Sequence, residues 1–74
     1  MHAIFELSGS AYVRPHKLGE AVSVAAAKTK LISDYEAAGW TVVDCEEDIE
    51  NDALDLAVAK GAMITLITVE PIKS

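Results

Sequence analysis

A single cysteine, Cys45, leaves the chain without any intramolecular disulfide. Small oxidised extracellular domains normally carry several bridges, so the composition points to a reducing, cytoplasmic setting. There are only two prolines and four glycines, scattered along the chain, which excludes a linker or a low-complexity tract. No stretch approaches the roughly 20 apolar residues that span a bilayer. The opening segment, MHAIFELSGS, also lacks the basic start and long apolar run of an export signal. Neither membrane insertion nor secretion is signalled. Basic residues are scarce as well, with six Lys and Arg against 12 Asp and Glu for a net charge of −6. That balance repels phosphate backbones and argues against direct binding of nucleic acid. It favours a protein partner with a basic surface, although acidity also serves solubility alone.

What is present fits one small domain. The 74 residues leave room for a single α+β unit, residues 1–74, near the size at which one core becomes marginal. Apolar residues make up 51% of the chain, but 12 of them are alanines, so the core is expected to be thin. A homodimer, or docking to another protein, would supply the missing burial.

Residues 3–8 alternate Phe5 and Leu7 with Ile4 and Glu6, as a strand with one buried face does. Gly9 and Ser10 suit a turn, and Tyr12 and Val13 a short returning strand that ends at Arg14 and Pro15. Between Gly19 and Gly39, Val24, Ala27, Leu31, Tyr35 and Ala38 recur at spacings of three and four, which defines one apolar helical stripe. Gly39 stands where a left-handed C-terminal cap is wanted, with Ser23 a candidate N-cap. Residues 40–45 read as a strand. Residues 63–69 are almost continuously apolar and β-branched, the pattern of a central strand covered on both faces, and Pro71 ends it.

Residues 53–60 fit two templates. Leu54, Ala57 and Val58 make a short helical face closed by Gly61, whereas Leu54, Leu56 and Val58 alternate like a strand. Three alanines, acids at the positive N-terminal end and Lys60 in the last turn favour the helix. The expected architecture is therefore a small antiparallel or mixed sheet of three to four strands, with one long helix on a face and a short second helix, in the order β(β)αβαβ. The alternative order is ββαββ.

The densest feature is acidic. Asp44, Glu46, Glu47, Asp48, Glu50, Asp52 and Asp55 place seven carboxylates in 12 positions. On a loop and one helical turn they would form a negative surface suited to Lys- and Arg-rich sites, or one that imitates a phosphate backbone. Six of them fall at EF-hand-like offsets, but Ile49 stands where that loop needs glycine, so no metal site is expected. Arg14, His16 and Lys17 flank Pro15 as the one concentrated basic cluster, a candidate anion site. Tyr12 and Trp40 are candidate aromatic contacts.

Catalytic signatures are missing. Cys45 alternates with Val43 on the apparent inward face of its strand and reads as core, and no serine lies in a nucleophile-elbow pattern. No phosphate-binding glycine motif occurs, and two histidines with one cysteine lack zinc spacing. No catalytic residue and no cofactor is expected. The leading expectation is a non-enzymatic interaction protein that occupies a basic surface of a macromolecular partner. Inhibitors encoded by phages and other mobile elements resemble it in size and charge only. The alternatives are a small-ligand regulatory module that uses Arg14 and His16, and a structural homo-oligomer subunit.

Overall fold

A computed structural model of the chain describes residues 1–7 and 15–73. Its elements run β1 (His2–Leu7), β2 (His16–Ala21), α1 (Val24–Ala37), β3 (Thr41–Asp48), β4 (Ala53–Lys60) and β5 (Met63–Pro71). All strand pairs are antiparallel, in the order β2-β1-β5-β4-β3. The architecture is thus ββαβββ, a five-stranded sheet with one helix. This corrects the expected β(β)αβαβ order, the three- to four-stranded sheet and the second helix. It also differs from ββαββ by one strand.

The decisive segment is β4. Its alternation places Leu54, Leu56 and Val58 under the helix, all essentially inaccessible to solvent. A helix over the same residues would bury a narrower stripe and leave β5 and β3 unpaired between them. Lys60 does not close a second helix. Its Nζ lies 2.8 Å from the Ala38 carbonyl oxygen at the C-terminus of α1, so it caps the first helix from across the sheet.

α1 begins and ends as its sequence dictates. Ser23 has extended backbone, and its hydroxyl accepts a hydrogen bond from the Ala26 N–H at 3.1 Å. At the other end the Gly39 and Trp40 N–H groups donate to the Glu36 and Tyr35 carbonyls at 3.0 and 2.9 Å, with Gly39 at φ +89°. That is the paired 6→1 and 5→2 closure of a Schellman cap. Trp40 and Tyr35 complete it, with their rings edge to face at 5.9 Å.

The core lies between α1 and one face of the sheet. Ala27 and Leu31 of α1 meet Ile4, Leu54, Leu56, Val58, Ile67 and Val69, with Tyr35, Trp40, Val42 and Cys45 packed at the margin. Of the expected helical stripe, Ala27 and Leu31 are buried, Val24 and Tyr35 are half-buried, and Ala38 is exposed. Two orientations differ from expectation. In β1 it is Ile4 that enters the core, whereas Phe5 and Leu7 occupy the opposite face. In β3 the register slips between Val42 and Asp44, so Val43 bulges out and is 57% exposed, and Val42 rather than Val43 shares the inward side with Cys45.

Candidate partner-binding surface

The acidic residues do not form one loop. Residues 44–55 make the end of β3, a turn and the start of β4, and strand alternation divides their side chains between the two faces. Glu47 points to the helix side, where Lys28 donates to it at 2.8 Å. That pairing raises the Lys28 pKa above its ordinary value. At the turn, Asp48 accepts from the Asn51 side-chain amide at 2.7 Å and its backbone N–H at 3.2 Å. These bonds hold the Asp48 carboxyl below its usual range. Asp52 sits at φ +52° with its carboxylate 2.7 Å from Nε2 of the buried His2, which ties the turn to the start of β1. Glu50 is exposed in the turn.

Asp44, Glu46 and Asp55 are different. They lie together on the face of the sheet away from α1, with Glu46 directly opposite Asp55 across the β3–β4 ladder. The Thr68 hydroxyl donates to Asp55 at 3.0 Å, and Asp44 accepts from the Cys45 N–H at 3.0 Å. These three carboxylates, with Leu7, Ala57 and Leu66, border a shallow depression of about 370 Å³. Asp48 follows Asp44 and Glu46 on the same alternation at the end of β3.

Beside this acidic edge the open face carries apolar side chains, interrupted on β5 by Thr68 and Glu70. The alternating residues of β1 and β5 set Phe5 and Leu7 next to Leu66 and Ile64, with Ala57 and Ala59 of β4 alongside. Leu66 is 49% and Ile64 64% exposed, although both lie on the central strand of the sheet. Toward the other end Met1 and Ile72 are joined by a backbone hydrogen bond of 3.0 Å and are also exposed. Ala3, Phe5, Lys17, Glu70 and Ile72 line a second depression there, of about 650 Å³. Antiparallel sheets that leave one face to water normally carry polar residues on it. Here α1 covers one side, and nothing among the described residues covers the other. The near-continuous apolar pattern of residues 63–69 was the signal for this surface: it predicts cover on both faces, and the described residues supply it on one.

Of the basic cluster, His16 and Lys17 are described and do not act together. Arg14 lies outside the described residues, as do Tyr12 and Val13. His16 and Lys17 are successive residues of β2 and pair across the ladder with Glu6 and Phe5 respectively, so they project to opposite faces. Lys17 is engaged by Glu20 at 2.7 Å, and this contact lowers the Glu20 pKa. Trp40 packs against the core margin beside Tyr35. The Tyr35 hydroxyl donates to Glu6 at 3.1 Å, and burial first, then the adjacent Glu6 charge, pushes the phenol up to about 12.

Among the described residues no three His, Cys, Asp or Glu side chains come together as a metal site. No helix among them is long and apolar enough to cross a membrane. No protein-family model, curated protein or solved structure matches the chain.

Proposed function

We propose that this is a non-enzymatic, cytoplasmic interaction protein that binds a protein partner through the open face of its sheet, against a basic and partly apolar surface. The observation that carries this reading is the uncovered apolar strip along β1 and β5, bordered by Asp44, Glu46 and Asp55. Burying half-exposed residues such as Leu66 and Ile64 supplies the non-directional part of the binding energy. The carboxylates add specificity and rate of encounter with a basic partner. The contact is therefore narrower than the whole acidic run. Glu47 and Asp52 are committed to Lys28 and His2 within the fold, which removes them from the binding surface. The same division counts against wholesale imitation of a phosphate backbone, because the remaining acids stand beside an apolar strip rather than in a double row.

The test is charge reversal at Asp44, Glu46 and Asp55 to lysine. A partner captured by the native protein from its host and identified by mass spectrometry is purified and rebound. Binding is expected to fall by at least about tenfold in the triple variant with the melting temperature kept. Unchanged affinity would remove the acidic edge from the contact.

A further inference from the structure

Building on the proposed open-face contact, we infer that the occupant of that face is a basic amphipathic α-helix of the partner, laid along β1 and β5 with its Lys and Arg side chains turned toward β3. The dimensions of the strip set the shape. The apolar side chains belong to β1, β5 and β4, three adjacent strands whose two gaps span about 10 Å. That is the width of one α-helix, about 10–12 Å with side chains. Along the strands, Ile64 to Ile72 covers eight steps, or about 27 Å, with Leu66 between them and Thr68 and Glu70 as the polar positions an amphipathic occupant would have to match. A helix of about 18 residues has that length. The sheet already accepts one helix, α1, on its other side, so a second would complete a three-layer arrangement.

Charge fixes the chemistry and the orientation. Asp44 and Glu46 stand two residues apart on β3, a pitch of about 7 Å, which nearly matches the roughly 6 Å rise between residues i and i+4 of a helix. Lys or Arg at i and i+4 beside an apolar stripe would meet both carboxylates, with Asp55 between them and the strip. A second copy of this chain is a poorer occupant. Its open face would bring Asp44, Glu46, Asp55 and Glu70 with only Lys73 to set against them, because Lys17 and Glu20 are already paired with each other at 2.7 Å. Like charges brought together in this way oppose association.

The probe is a synthetic Leu–Lys peptide of about 18 residues with leucine at a, d and e heptad positions, set against a scrambled peptide of identical composition. Titration calorimetry and circular dichroism are read on the full chain, with its mass by sedimentation. Saturable binding with a gain in peptide helicity is expected, weakened by at least about tenfold in Leu66→Glu and in Glu46→Lys but not in Ser33→Glu on the exposed side of α1. Equal binding of the scrambled peptide would overturn the helical occupant while leaving a basic partner in place. Failure of both peptides to bind a monomeric protein would overturn the helical occupant, whereas the basic open-face contact stands or falls with the charge reversal of Asp44, Glu46 and Asp55. A dimer that Leu66→Glu converts to monomer would show that a second copy covers the face, and would overturn both. Circular dichroism of each variant alone checks that it folds; should Leu66→Glu not fold, Leu66→Ser takes its place with the same expectations.

Discussion

Leu56 and Leu66 are both leucines on neighbouring strands, but they face opposite sides of the sheet, and truncating each to alanine tests whether the open face is open in solution. Leu56 is 2% exposed against the helix and Leu66 is 49% exposed on the far side. Removing the methyl and methylene groups of a fully buried leucine forfeits about 2 kcal/mol of transfer energy. The unfilled cavity raises the usual total to about 3–5 kcal/mol. Half-exposed Leu66 has already lost about half of the transfer term and leaves no enclosed cavity, so Leu66→Ala is expected to cost about 1 kcal/mol. Native stability for a chain of this size is on the order of 4–11 kcal/mol, so Leu56→Ala removes a large part of it and Leu66→Ala a small one. Urea unfolding followed by Trp40 fluorescence gives both values if the slope with denaturant is unchanged. The measurement should be repeated at two protein concentrations. Equal losses for the two variants would refute the geometry, because Leu66 would then be buried in the free protein. A midpoint that rises with concentration would identify self-association as the cause.

Two further outcomes follow from local structure. Gly39→Ala places a Cβ on a residue at φ +89°, where the nearest atom, Lys60 Cε, is a permissible 3.5 Å away; the cost is therefore backbone strain. It should amount to about 1–2 kcal/mol, and an unchanged melting temperature would show that the left-handed cap is not used. The Tyr35 phenol has its pKa raised from 10.0 to about 12 in the folded state. The unfolded chain therefore loses that proton first as pH rises, so the stability linked to it is complete below about pH 10 and declines between about 10 and 12. Alkaline unfolding of Tyr35→Phe should lack this decline, and a phenolate titration in which both tyrosines of the native protein ionise near 10 would contradict it.

The elements legible in the sequence are those whose local signals agree with one another. In α1 the three-and-four spacing, Ser23 and Gly39 all specify the same helix, and the tertiary structure only confirms it. Around residues 53–60 they conflict. Alanines, flanking acids and Lys60 favour a helix by propensity, whereas Leu54, Leu56 and Val58 favour a strand by period. Pairing with both β3 and β5 decides for the strand, and no local signal could register that gain. β2 was missed because Gly19 and exposed His16, Lys17, Leu18 and Glu20 give it little alternation; the ladder with β1 defines it. The acidic run was visible as composition, but its division between two faces depends on the β3–β4 register and on the slip at Val43.

The alanines that make residues 53–60 resemble a helix have a different consequence once the segment is a strand. Along β4 the inward positions are Leu54, Leu56 and Val58, and the outward ones are Ala53, Asp55, Ala57 and Ala59. Large side chains fill the core on one side, while small ones on the other leave a low floor between Leu66 and Ile64 of β5 and the carboxylates of β3. A sheet surface with bulky residues at those positions would be level, and an apolar occupant could touch only its crest. With alanine there, the side chains of β5 stand above the floor on one flank and Asp44 and Glu46 on the other, which gives the open face both a shape and a polarity. The pattern that misleads a propensity argument about helix or strand is therefore the one that gives the open face its relief.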